Sequence, residues 1–198
     1  MTQHGLLQQS IKRSLSFDDY LTLHTLLVQA GSTTGSNQTE TYEHYTLLNL
    51  QRIQRGMKKL EFTDMELPRL DDDHIWLVIT ETWCGDAGQS LAVIQKLAEV
   101  LDRVELRLVF RDNNLELMDH FLTGTSRSIP KLICLNKDTL EVQGTWGLRP
   151  QAVVDMVSAE KEEKGHLDDD FKVRLQKWYN KDKGRSIATE LLDMLAIA

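Results

Sequence analysis

The chain has 198 residues, 41% hydrophobic and 27% charged, with 11 Gly and only 3 Pro. That is an ordinary globular composition, long enough to bury a core in one domain with sizeable extensions. The formal net charge of −7 disfavours general nucleic-acid binding, because an acidic protein gains nothing from neutralising phosphates.

The first 68 residues read as helical. Ser16 is a candidate N-cap, with Asp18 and Asp19 in the first turn, where the helix dipole favours acids. Tyr20, Leu23, Leu27 and Ala30 then fall at near-helical spacing, and Gly31 can end the helix. Gly31 to Asn37 is a polar loop. A second helix is predicted over Glu40 to Leu60, with Leu47, Leu50, Ile53, Met57 and Leu60 as its apolar stripe. Gly56 inside it costs up to about 1 kcal/mol against Ala. The basic run Arg52, Arg55, Lys58 and Lys59 lies largely off the stripe and reads as a solvated face, with a local basic patch for nucleic acid as the alternative.

Ile75 to Ile79 is a short continuous apolar run, as expected of a central strand covered on both faces. From Asp86 to Leu101 the spacing is helical, with Leu91, Ile94, Ala98 and Leu101 on one face. Val104, Leu106, Leu108 and Phe110 alternate with Glu105, Arg107, Val109 and Arg111, which is strand periodicity. Asn113 or Asn114 can cap a short helix through Phe121. Lys131–Leu135 and Leu140–Thr145 are two further strands joined by the turn former Asn136-Lys137-Asp138. Pro150 suits the first turn of a helix carrying Val153, Val154 and Val157. Beyond the charged run Glu160–Lys164, Phe171, Leu175 and Trp178 share one helical face, and Ile187, Leu191 and Leu195 another. Two parallel crossovers and then an antiparallel pair are expected, in a mixed α/β sheet with helices on both sides. Both terminal extensions are expected to dock on it.

No segment approaches the length needed to cross a bilayer, so no membrane partner is expected. The first five residues lack the charged and apolar regions of a secretory signal, and a cytoplasmic location is the expectation. Two cysteines, Cys84 and Cys134, do not make a disulfide framework; they are a reactive site or packing material.

Thr82-Trp83-Cys84-Gly85-Asp86-Ala87 falls where the central strand ends and a helix begins. A cysteine there faces unpaired backbone N–H groups and the positive end of the dipole, both of which favour the thiolate. The alternative is a buried cysteine acting as a small hydrophobe. On the first reading the Cys84 pKa falls below that of a free cysteine, with Asp86, taken as solvated, pulling the other way. Cys84 is then expected to alkylate faster than Cys134. Cys134 lies four residues beyond Pro130 along a strand, roughly 13 Å away. A disulfide needs Cα atoms within about 7 Å, so Cys134 is expected to pack in the core and not to bridge to Cys84.

An apolar strand, Trp83-Cys84-Gly85, a helix, and then Ser128-Ile129-Pro130 before the next strand resemble the thioredoxin superfamily. Arg127, three residues before the proline, fits the same pattern. The resemblance covers residues from about 69 to 160, leaving 1–68 and 161–198 as helical extensions. The whole chain is also similar to a bacterial subgroup of thioredoxin-like proteins with Trp-Cys-Gly-Asp where others have Trp-Cys-Gly-Pro. The resemblance implies a thioredoxin-like fold, a cis Ile129–Pro130 bond beside the reactive thiol, and substrate contacts from Trp83, Gly85, Asp86, Ile129 and Pro130. It also meets departures. Ala87 stands where a second cysteine belongs, and Val78 where the buried acid belongs. A resolving thiol ordinarily releases the mixed disulfide, so Cys84 would need an external one.

Other constellations carry little. The six histidines have no zinc-like spacing. Asp71–Asp73 and Asp168–Asp170 read as solvated loops or helix starts. No Gly-rich phosphate loop occurs, so no metal or cofactor is expected. Two functions remain open. One is a single-cysteine thiol-disulfide oxidoreductase, in which Cys84 attacks a protein or low-molecular-weight disulfide and an external thiol resolves the adduct. The other is a non-catalytic peptide- or partner-binding module. Retention of Cys84 favours the first. Peroxide reduction is disfavoured by Glu81, where peroxidase relatives carry Thr.

Overall fold

The computed structural model describes residues 1–197. Three helices precede the first strand. α1 (Gln3–Arg13) starts at Thr2, whose hydroxyl accepts the Gly5 N–H. Sequence patterning names no element there, because Leu6, Leu7 and Ile11 make only a short apolar stripe. α2 (Phe17–Gln29) starts at the expected Ser16, which accepts the Asp19 N–H at 3.1 Å. α3 (Glu40–Lys59) has acids in its first turn and Lys58 and Lys59 in its last, matching the dipole at both ends.

β1 (His74–Thr80) is buried at every position. Successive side chains point to opposite faces, so both faces of this strand are covered, as its continuous apolar run requires. α4 (Gly85–Val100) returns the chain to β2 (Val104–Phe110), which pairs parallel to β1 from His74–Val104 to Thr80–Phe110. The outer edge of β2 is bridged by Leu15, which exchanges backbone hydrogen bonds of 2.8 and 2.9 Å with Leu108. An edge strand is thereby closed to further pairing at its centre.

A 3-10 turn (Arg111–Asn113) and the one-turn helix α5 (Leu115–Met118) follow. Asn114 precedes that helix as expected, but its side chain makes no capping bond, and the helix stops short of Phe121. β3 (Lys131–Asn136) runs antiparallel to β1, with Lys131 opposite Ile79. This corrects the expectation of a second parallel crossover. A parallel return over seven residues must span roughly 23 Å. A single helical turn advances only about 6 Å, and the chain re-enters the sheet at the end it left.

β4 (Val142–Gly147) pairs antiparallel with β3 across an irregularity at Cys134/Leu135, giving the strand order β2-β1-β3-β4. It begins two residues after the expected Leu140, which takes a left-handed φ of 58° and closes the turn by donating to the Asn136 carbonyl.

α6 (Gln151–Lys164), α7 (Asp169–Asp182) and α8 (Arg185–Ile197) complete the chain. α8 docks as its stripe implies, burying Ile187, Ala188, Leu191 and Leu195. Its Glu190 accepts both the Trp146 indole N–H and the Gln151 N–H at 2.6 Å, joining β4 to the start of α6. The architecture is α/β, a four-stranded mixed sheet flanked by helices, as expected.

The packing of α3 on α4 sets the site. A Cβ at Gly56 would lie 2.5 Å from the Ala92 Cβ, and one at Gly88 would collide with the Asn49 side chain. Both glycines let the helix backbones approach, which offsets their poor helix propensity. Asn49 lies over Gly88 and donates to the Thr82 carbonyl at 2.9 Å, so the helix contact extends directly into the turn before Cys84.

Candidate functional site

The turn Glu81–Cys84 is held from the N-terminal half of the chain. The Thr82 N–H donates to the Thr34 hydroxyl at 3.0 Å, and the Thr34 N–H donates back to the Thr82 hydroxyl at 3.2 Å. Thr33 and Thr46 hydroxyls lie 3.2 and 3.4 Å from the Thr82 hydroxyl. The polar stretch after Gly31 is thus not a free loop but a brace on the site. Glu81 is fully buried; one carboxylate oxygen accepts the Asp112 N–H at 2.9 Å and the other has no partner. Burial pushes its pKa up.

Cys84 is the N-cap residue of α4, but its side chain makes no capping bond. It is 7% exposed, and its thiol donates to the Ile129 carbonyl at 3.3 Å. The Ile129–Pro130 bond is cis, and Ser128 and Ile129 line the same cleft as the cysteine. Burial, and then the charge of Asp86, push the Cys84 pKa up to about 12, against the Ala87 and Asp86 N–H groups and Arg149. This reverses the expected direction. A helix N-terminus favours a negative charge by up to about 2 kcal/mol, whereas withdrawing an ion from water costs several kcal/mol. In this turn desolvation wins.

Asp86 is also not the solvated carboxylate expected. It pairs with the Arg149 Nε at 2.8 Å, with side chains 18% and 22% exposed. Burial pushes its pKa up while Arg149 opposes the rise. Trp83 is half-buried and stacks on Tyr42 of α3, with centroids 4.8 Å apart and planes at 17°. The Arg111 guanidinium lies 5.0 Å from the Trp83 ring centroid. Gly85 opens α4, and buried Ala87 occupies the position of a second thiol.

Trp83, Cys84 and Asp86 line two clefts at once. One, of about 760 Å³, runs between the turn and the segment Ser126–Ile129, with Arg127 held by a fork to Asp119 at 2.6 and 2.7 Å. The other, of about 910 Å³, opens between the turn, α3 and α7, and is walled by Tyr42, Tyr45, Arg52 and Tyr179. Cys134 lies in neither. It is a free thiol opposite Trp76 in the sheet, 3.9 Å from His74 Nδ1, and burial pushes its pKa up to about 11.

The turn, the cysteine and the proline segment are therefore brought together where sequence reasoning put them. Arg149, Tyr42, Asn49 and Thr34 were missed. The one usable signal was Asp86 itself: a carboxylate at a buried strand-to-helix junction demands a cation, and Arg149 directly precedes the flagged Pro150. Nothing local in the sequence marks Tyr42 or Thr34, because their contacts bridge about 40 or more residues.

A family model described as thioredoxin matches residues 35–164, about two thirds of the chain. No curated protein matches. Among solved structures, a protein of unknown function from Pseudomonas aeruginosa is similar at 18% identity and a TM-score of 0.54, covering 92% of this chain and 96% of that one. An HIV epitope scaffold is similar at 20% identity and a TM-score of 0.53, covering 92% and 97%. Both likenesses concern the fold.

Proposed function

The chain belongs to the thioredoxin family, and from that premise we propose that it is a non-catalytic binding module, holding an extended peptide segment in the cleft beside Ser126–Ile129. The observation that carries this reading is the state of Cys84: buried, donating its proton to the Ile129 carbonyl, and without a neighbouring thiol. Burial pushes the Cys84 pKa up, far above neutral pH, so the resting thiol is protonated. Thiolate is the attacking species in exchange. Trp83, braced by Tyr42, supplies an aromatic rim, and Arg127, fixed by Asp119, a charged one.

A second reading is single-cysteine exchange, favoured by the Asp86 and Ala87 N–H groups that stabilise the Cys84 anion. Cys84 would attack a disulfide RS–SR, forming Cys84–SR and releasing RSH. An external thiol R′SH would then form R′S–SR and restore the Cys84 thiol. Intact mass after exposure to glutathione disulfide separates the two. The binding-module reading expects no adduct on folded protein; a glutathione adduct lost in Cys84→Ser would replace it with the second.

A further inference from the structure

α3 carries Arg52, Arg55 and Lys59 at three- and four-residue steps, which sets them along one side of the helix. The sequence reading took this run for a solvated face. In the structure these residues instead wall a cleft of about 470 Å³ between α3, α4 and α7, and Lys183, at the end of α7, closes its far side. Four cations thus line one concave space, and no Asp or Glu lines it. None of the four makes a salt bridge among the described residues. Asp182, next to Lys183, is occupied by the Ser186 N–H and hydroxyl.

Arg52 is the most telling member. It is half-buried, and its hydrogen bonds go to neutral amide oxygens, Asn49 at 3.1 Å and Gln176 at 2.9 Å. Burial pulls its pKa down. A partly desolvated guanidinium that makes no salt bridge, the carboxylate acting on it, Asp86, being paired with Arg149, is gathered with three like charges in a protein of net charge −7, which makes a focused positive field. The floor is apolar, from Leu60, Ala92 and Val93. Gln89 and Gln176 stand between this cleft and the one at Cys84, with the Gln89 amide donating to the Gln176 oxygen at 2.8 Å. Tyr179, 7% exposed and with an unpartnered hydroxyl, is shared by both walls.

We infer that this cleft binds a small organic polyanion, with two or more phosphate or carboxylate charges held by Arg52, Arg55, Lys59 and Lys183 and an apolar body on the floor. Its volume suits a small molecule, and guanidinium forks suit both anion types. Cys84 does not line the cleft, so the site stands independently of the function proposed for the thiol.

The test is isothermal titration of the full chain at low salt with inorganic pyrophosphate, with citrate as the carboxylate arm and a short single-stranded oligonucleotide as the macromolecular arm. Saturable binding of pyrophosphate or citrate is expected; the tighter of the two names the ligand class. The variant Arg55→Gln/Lys59→Gln/Lys183→Gln, altered only at exposed side chains, should weaken Kd roughly tenfold or more. Lys59→Arg/Lys183→Arg should keep it, and Cys84→Ser should leave it unchanged. Absence of saturable binding, an unchanged Kd in the triple variant, loss of binding in Cys84→Ser, or tighter binding of the oligonucleotide would each overturn the assignment.

Discussion

Cys84 lies at a helix N-terminus between two clefts, with a carboxylate and a guanidinium beside it; Cys134 lies in mid-strand opposite Trp76, with His74 Nδ1 and Gln143 Oε1 about 4 Å from its thiol. Burial nevertheless raises both thiols, to about 12 and about 11. The comparison teaches that a helix N-terminus does not by itself make a thiolate. The dipole acts on whatever charge water leaves there, and at 7% exposure water leaves little. What separates the two sites is that charged groups, Asp86 and Arg149, act on Cys84, whereas burial of Cys134 is opposed only by a neutral hydrogen bond from Trp76.

The largest effect that sharpens this contrast is expected from Arg149→Met. It leaves the Asp86 carboxylate buried without its partner and should lower stability by about 3 kcal/mol. It should also raise the Cys84 midpoint further, since Arg149 now holds it down, with Cys134 unmoved. Urea unfolding and site-resolved alkylation measure the two effects; a shift of both cysteines would break the contrast.

His24 supports the same turn from behind, its Nε2 donating to the Thr46 carbonyl at 2.9 Å. Burial lowers its pKa from 6.5 to about 4. The unfolded chain therefore binds a proton that the folded chain refuses, and this stability is complete above pH 6.5 and lost as pH falls towards 4. The loss should reach roughly 3 kcal/mol. Buried Asp86 and Glu81, with raised pKa values, act in the opposite sense, so the readout is the difference from His24→Gln. That variant should unfold with a flatter pH dependence; equal slopes would remove His24 from the account.

Gly88→Ala should have a smaller effect, about 2 kcal/mol, as the new Cβ displaces Asn49 from the Thr82 carbonyl. Loosening of the turn should speed alkylation of Cys84 on the native protein and leave Cys134 protected. Equal protection of both cysteines in this variant would mean that α3 does not brace the site.

The strands and the α4 start were legible because each has a local cause, apolar runs and a helix-spaced stripe; the contact of Cys84 with the Ile129 carbonyl was expected from the family resemblance of the two motifs. The direction of β3 was not, since it follows from the shortness of α5, and boundaries of a one-turn helix leave almost no periodic signal. The sign of the thiol shift was lost for another reason. Exposure of Cys84 and pairing of Asp86 depend on Arg149 and on packing from distant segments, which spacing around the motif does not encode. The basic run on α3 was read as a solvated face, but residues of α7 stand opposite Arg52, Arg55 and Lys59 and turn that side of the helix into a cleft.

The most direct test is iodoacetamide modification of Cys84 against pH, resolved by mass spectrometry on folded protein. The account predicts slow reaction at neutral pH and a midpoint well above that of a free cysteine, towards 12, with Cys84 no faster than Cys134 below it. A midpoint at or below the free-cysteine value of about 8.5, with Cys84 reacting ahead of Cys134, would contradict the neutral resting thiol and the binding role built on it.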